Sequence, residues 1–565
     1  MVPMVITLQW NLPFAGVMML LIVGFILLAV LRTLNLIPRR YTIVGCRALV
    51  IGCIAGTLVM WLTYQPPPQI HRLAILPALP STATDTPAGF GYGVAHMTVD
   101  LIREALPKNT RVSPIDIVSS VIEKTPPADL QMALKVCADI GARYAVFGIY
   151  NQDQDRSVVL QMHFVTVEDS TVTTQQFSIH PDSLSSVPAR LADAIQQHFP
   201  PFADLSLPRQ EVMNADAFVW YCRGQAMYQR HTPEGYWDAA EAYRNAMAHD
   251  STSAWPYFGL AMVYQKWKRS EYTHQAENTG MRRKAIAHAA VALILKPELI
   301  EAYRIKASTY RALRLWDEQS VSLKQAIAAD PEDPWNFAAL SRIRPERFED
   351  MGFKNEARVG EKAVQLNSEA ILLRTMLIRS YLNAGELNDA LNFAKQVLDL
   401  NPNRNDVLLA VGKAYEYNAQ SHNAVNVYTR AVELDQSNQS NYIGLADAYS
   451  LRGDSEKAIE TYETAIRRLP EQADLYYSLG ILYQRHGHWE KAVPYFEQAI
   501  EVGNHVDAHF YMARWHEKQG DRQKATELWQ QRILLGDPHE KWTKKAMTQL
   551  RLLSPSAVPA IGVNQ

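Results

Sequence analysis

One feature constrains the chain more than any other: it repeats itself every 34 residues. Copies begin at Ile371, Asn405, Gln439 and Ala473. In the third, Tyr442, Leu445, Ala446 and Tyr449 fall on a first amphipathic segment, and Ala458, Tyr462 and Ala465 on a second that Pro470 ends. The fourth carries Tyr476, Leu479, Gly480, Tyr483, Ala492, Phe496 and Ala499 at the same offsets, and the second has Gly412, Tyr415, Ala424, Tyr428 and Ala431. The pattern is steric. Small residues at fixed positions let two helices approach closely, and aromatics and leucines fill the space between them. One such unit cannot bury its own apolar face, so neighbours must stack.

These offsets resemble the tetratricopeptide signature, a helix–turn–helix unit. Weaker copies extend the array. Trp220, Gly224, Ala239, Tyr243 and Ala246 make the first. Tyr257, Leu260, Ala261, Tyr264, Ala285, Ala292 and Pro297 make the next, with an insertion between its helices. Tyr303, Ala307, Tyr310, Ala326 and Pro331 make another, and Met512, Ala513, Ala525 and Trp529 the last. The stretch 337–368 is degenerate, and "RIRPERFEDMGF" is expected to break its helices. The reading is of about nine repeats over 215–536, a polar capping helix over 538–553 and a disordered tail over 554–565.

The resemblance implies an inner, concave face lined by first-helix positions two, five, nine, twelve and thirteen. In the regular repeats these positions include Thr375, Arg379, Lys413, Tyr417, Asp447, Tyr477, Gln484 and Arg485. They mix charge with aromatic surface, as a peptide-binding groove would. A clamp for a terminal carboxylate wants Lys at position five with Asn at nine. The pairs here are Thr375 with Arg379, Leu409 with Lys413, Ile443 with Asp447 and Tyr477 with Ile481, so the expected ligand is an internal segment or a folded surface.

The other end of the chain has a different composition. The first 84 residues hold no Asp or Glu. The apolar runs 14–31 and 43–62 are each long enough to cross roughly 30 Å of hydrocarbon as a helix. Trp10, Tyr41, Trp61 and Tyr64 sit at their ends. Arg32, Arg39 and Arg40 lie between the runs, which would place that loop in the cytoplasm and everything after Leu62 in a periplasm. Gly52 and Gly56 have the spacing that would pack the two spans, or two copies of the chain, together. The expectation is an inner-membrane protein with a two-helix hairpin over 1–64 and a proline-rich spacer over 65–71.

Between spacer and repeats the periodicity shifts. "RLAILPAL", "ARYAVFGIY", "SVVLQMHFVTV" and "TVTTQQFSI" read as strands, with helices over "GVAHMTVDLIREAL", "ADLQMALKVCADIG" and "LSSVPARLADAIQQHF". The order is βαβαβββα, a small α/β domain over 72–200. "LAILPAL", "FGYGVAHMTVDLI" and "ALKVCADIGARYAVFGIYNQD" are similar to the TolB amino-terminal-like domain of bacterial CadC-like and cyclase-associated regulators. The segment 217–250 is similar to the first repeat that follows that domain in those regulators. Gly89, Gly91 and Gly93 read as a flexible turn, with a backbone anion site as the alternative. The fold class is thus multi-domain: membrane hairpin, α/β domain, and an all-α superhelical solenoid.

The residues point to no chemistry. No HExxH, GxSxG or phosphate-binding loop occurs, and no catalytic, cofactor-binding or metal site is assigned. His486 and His488, and the Arg452–Asp454 "RGD", fall in ordinary inter-helix turns, and Cys222 reads as a buried structural thiol. A net charge of -2 without a long basic block argues against nucleic acid as a partner. Three functional readings follow: a membrane-anchored, non-catalytic scaffold whose repeats bind protein partners; a sensor or regulator that lacks its own output domain; and a subunit of an enzyme complex.

Overall fold

The structure, a computed structural model, describes residues 70–81, 89–103, 105–106, 109–114, 117–118, 121, 129–152, 157–205, 213–267, 275–536 and 541–553. The spans expected over 14–31 and 43–62, and the spacer up to residue 69, lie outside these. Among the described residues no helix is long and apolar enough to cross a membrane. The longest, Gln275–Leu295, has 21 residues but carries Arg282, Arg283 and Lys284 and belongs to a repeat. The expected placement as a two-span inner-membrane protein with periplasmic domains is corrected on this finding.

The α/β region is built on β1 (His71–Ile75), β2 (Leu79–Pro80), β3 (Thr110–Val112), β4 (Tyr144–Gln152), β5 (Val158–Thr166) and β6 (Thr171–Ile179). Its sheet runs β3-β1-β4-β5-β6, with β2 also against β4. β1 is parallel to β3 and β4, whereas β4, β5 and β6 form an antiparallel meander. β5 alternates buried and half-buried residues, as a strand with one covered face should. Three helices accompany the sheet: α1 (Phe90–Arg103), α2 (Leu130–Ile140) and α3 (Val187–His198). Asp129 caps α2 by accepting from the Met132 N–H, and Gly141 ends it with φ 68°.

From Ala215 eighteen helices follow in antiparallel pairs. They are α4 (Ala215–Tyr228) with α5 (Pro233–His249), α6 (Ala254–Lys266) with α7 (Gln275–Leu295), and α8 (Ile300–Leu313) with α9 (Trp316–Ala329). Next come α10 (Pro334–Leu340) with α11 (Glu356–Leu366), α12 (Ile371–Asn383) with α13 (Leu387–Leu400), and α14 (Asn405–Tyr417) with α15 (Ser421–Leu434). The last are α16 (Gln439–Arg452) with α17 (Ser455–Arg468), α18 (Ala473–Arg485) with α19 (Trp489–Gly503), and α20 (Val506–Gln519) with α21 (Arg522–Leu535). A further helix, α22 (Lys541–Leu553), packs on α21. The degenerate fourth pair has a first helix of only 7 residues, followed by 3₁₀ turns at Pro345–Arg347 and Glu349–Met351.

The 34-residue period is set by ring-shaped slots. Tyr428 of α15 lies between Gly412 of its own repeat and Gly444 of the next; a Cβ on either glycine would come within 2.5 Å of the ring. Tyr243 is held in the same way between Gly224 and Gly259, and Phe496 sits against Gly480. Ala458, Ala465, Ala492 and Ala499 are fully buried where the paired helices touch. The turn between paired helices needs a left-handed residue. Gly453 supplies it with φ 91°, but in the repeat before it Ala419 takes φ 55° at the same position.

Two outcomes follow for thermal unfolding of the chain. Gly412→Ala and Ala458→Leu should each destabilise by about 1–3 kcal/mol through overpacking. Ala419→Gly should stabilise by about 0.5–1 kcal/mol by relieving the left-handed alanine. An unchanged melting temperature for the first two would show that these contacts do not set the register.

Candidate partner-binding groove

The first helices of the pairs form one continuous face, and the α/β region covers part of it. α1 lies against α4, and glycines make the approach possible. A Cβ on Gly93 would stand 2.3 Å from the Cys222 Sγ, and one on Gly89 would stand 2.2 Å from the Cys222 carbonyl oxygen. The run expected to be a flexible turn or an anion site therefore starts a packed helix, and the neighbouring backbone fills the space an anion would need. At the other end of the contact Gly141 packs on Asn367, whose Nδ2 donates to the Ile140 carbonyl at 2.9 Å. One apolar core runs through both regions, from Leu73, Phe90 and Val94 to Tyr221, Phe258, Trp335 and Met376. The described residues from His71 onward form one compact unit.

Polar contacts edge this core. Arg103 of α1 grips the fully buried Glu301 of α8 through two hydrogen bonds of 3.0 and 2.5 Å. Arg111 pairs with Glu332, Arg143 with Glu369, and Asp139 of α2 with Arg404 just before α14. Arg72 donates to the Leu366 carbonyl at 2.6 Å. Burial alone would raise the Glu301 carboxyl, but the Arg103 and Arg304 guanidiniums overcome it and hold it well below the usual range. His96 of α1 is 2% exposed; its Nδ1 meets the Tyr221 hydroxyl at 2.8 Å, which in turn accepts from Gln225 Nε2 at 2.8 Å. Trp255 of α6 closes over the imidazole edge at 5.6 Å.

Tyr221 and Gln225 occupy positions five and nine of the first repeat, and Trp255 and Glu301 position two of the second and third. These four positions, where a partner is expected, are occupied by the chain itself. Among the described residues the last ion pair of this kind is that of Asp139 with Arg404.

The eight sequence-predicted groove residues fall on the remaining face, spread over α12, α14, α16 and α18. Arg379, Tyr417 and Arg485 are exposed. Lys413 is held by Glu416 at 2.6 Å; burial works against its charge, and that carboxylate more than restores it. Asp447 accepts from the Tyr462 hydroxyl at 2.9 Å. Tyr477 stacks on His505 with ring centres 4.1 Å apart, and burial raises its phenol pKa. Thr375 is half-buried and donates to its own helix at Leu372, and Gln484 is half-buried. Sequence reasoning missed Leu451, which is 64% exposed at position thirteen between Tyr417 and Arg485. It missed Arg342 as well, at position nine of the degenerate repeat; the irregular "RIRPERFEDMGF" hid the register there.

The other motifs are structural. Arg452 and Asp454 of the RGD pair with each other, and His486 meets Ser455 Oγ at 3.1 Å. Cys137 and Cys222 are buried free thiols, and burial pushes Cys137 up to about 12. Among the described residues no three His, Cys, Asp or Glu side chains group as metal ligands.

Comparison with known proteins places these repeats. Tetratricopeptide repeat models match residues 406–438, 440–505 and 477–540. Among solved structures, a tetratricopeptide repeat protein from Parabacteroides merdae ATCC 43184 shares 18% identity over 45% of this chain and 98% of its own, with a TM-score of 0.34. MamA shares 25% over 31% and 94%, with a TM-score of 0.24. A thermophilic protein of the same repeat type in Thermus thermophilus shares 19% over 33% and 98%, with a TM-score of 0.27. No curated protein matches the chain.

The buried imidazole makes the shared core acid-sensitive. Burial lowers the His96 pKa from 6.5 to about 3, and Glu301 offsets this only in part. Between those values the unfolded chain binds a proton that the folded chain does not. Stability from this group is therefore complete above pH 6.5 and falls as pH drops, by up to about 1.4 kcal/mol per pH unit. Glu301 adds its own loss only below its unfolded value of 4.5, so the interval from 6.5 to 4.5 separates the two. Melting temperature measured across that interval should fall less steeply in His96→Gln than in the unsubstituted chain. Equal slopes would exclude His96 as the source.

Proposed function

We propose that this chain, which carries tetratricopeptide repeats, is a non-catalytic scaffold that binds a protein partner along the first-helix face of its C-terminal repeats. Tetratricopeptide repeats are in general a protein-interaction fold. One observation carries the more specific reading: from α4 to the start of α14 the α/β region takes up the part of the first-helix face nearest the helix N-termini, and beyond it that part stands open. There Tyr417, Leu451 and Arg485 are exposed in consecutive repeats at one repeat position, flanked by Tyr477. Exposed aromatic and arginine side chains in a row are what protein interfaces use as anchors. In this reading the α/β region, whatever its resemblance to a TolB-like sensor, acts as a fixed wall of the groove because it shares the repeats' core.

The test is capture with the full chain as bait, identification of the bound protein, and titration of that protein against variants. Tyr417→Ala with Arg485→Ala should weaken binding by about ten- to a hundredfold while circular dichroism stays unchanged. Full affinity in the double variant would place the site elsewhere on the molecule.

A further inference from the structure

Resting on the scaffold reading, we propose that Arg311, Arg342 and Arg379 form a strip that binds an acidic, extended segment of the partner protein. The register of the repeats brings them together. Gln265 at position twelve of the second repeat donates to Ser308 at position nine of the third. Arg311, at position twelve of the third, and Arg342, at position nine of the fourth and just past the short α10, stand in the same register, and the charges of Arg311 and Arg379 both act on Arg342. Ser341 Oγ lies 3.6 Å from the Met376 Sδ of α12, which brings the next residue, Arg342, to the helix that carries Arg379 one turn on. Burial lowers the Arg342 pKa, and the Arg311 and Arg379 charges lower it further.

All three guanidinium side chains belong to exposed residues. Among the described residues no carboxylate pairs with any of them. Most acids of these repeats are engaged elsewhere: Glu346 with Arg344, Asp317 and Asp350 with Arg347, and Glu361 and Glu386 with Arg358. Glu356 accepts from Ser380 and Asn383. The strip has clear ends. The polar contacts of the α/β region here fall at the start of α8 and in the connections before α10 and α12, at Glu301, Glu332 and Asn367, and the three arginines lie toward the other ends of these helices. Along the array, Lys413 is neutralised by Glu416, and Asp447 follows. Like charges gathered without a counter-charge repel one another, and a carboxylate ligand would relieve that repulsion. Guanidinium forks match carboxylates in shape as well as charge. An extended peptide would offer alternate side chains about 7 Å apart on one side. The strip's first-helix neighbours are Ser308, Ala312 and Leu382, not the aromatic stacking platform that single-stranded nucleic acids use.

The probe is a fluorescent oligoglutamate peptide, titrated against the full chain by anisotropy, with oligoglutamine and oligouridylate as controls. Oligoglutamate should bind, oligoglutamine should not, and added salt should weaken the complex steeply. Arg342→Gln with Arg379→Gln should weaken it by about tenfold or more, whereas Arg342→Lys with Arg379→Lys, which keeps the charge but not the fork, should weaken it less. Circular dichroism guards against misfolding. No oligoglutamate binding, binding indifferent to the glutamine pair, or tighter binding of oligouridylate would each overturn the proposal. So would an identified partner that binds the glutamine pair at full affinity but loses affinity in the Tyr417 and Arg485 variant; that result would leave the scaffold reading standing. Failure to capture any partner, with oligoglutamate binding intact, would count against the scaffold reading alone.

Discussion

The contact between α1 and α4 governs much of what this molecule is. Gly89 and Gly93 strip side-chain bulk from the start of α1, so that the backbone there reaches the carbonyl and the sulfur of Cys222, while Gly91 admits the Ala78 backbone on the sheet side. That approach is what lets the sheet and the first repeats share one interior instead of meeting as two finished surfaces. The ion pairs then follow as a border. Each joins a residue of the α/β region to one of a repeat, and Arg103 with Glu301 is so deeply placed that the arrangement holds only while both partners stay.

A tetratricopeptide array ordinarily offers its first-helix face to something else. Here that face is divided. The first three repeats spend Tyr221, Trp255 and Glu301 on His96 and Arg103. The C-terminal repeats keep the same positions for groups that contact only their own or adjacent helices, such as Asp447 with Tyr462 and Tyr477 with His505. The cores reflect the division. One large apolar cluster spans the sheet and the repeats up to α12, while the later repeats are held by smaller clusters at successive helix pairs.

The repeats were readable in the sequence because their signal is local and steric: a small residue in one helix faces a ring in its partner, and the pair recurs. The strands were readable for a similar reason, since β5 alternates every second residue. The docking was not readable, because its partners lie far apart. Arg103 and Glu301 are separated by 198 residues, and Asn367 and Ile140 by 227, with no period to connect them. The glycines at 89, 91 and 93 were visible but misread. Their own backbone freedom suggested a turn, whereas what matters is the neighbour they admit. The assignment of Lys413 to a partner overlooked Glu416 three residues on, a spacing that a helix turns into a contact.

The shared core also has a consequence for the order in which the protein is made. The sheet and α1 leave the ribosome well before the helices that cover them. Arg103 precedes Glu301 by 198 residues, which at about 5–20 residues per second is a delay of roughly 10–40 s. Through the first part of that interval the glycine-lined face of α1 has no Cys222 to lie against, and through all of it Arg103 has no Glu301. The nascent chain therefore closes this core in steps, the apolar face of α1 with the first repeat and its buried ion pair only with the third.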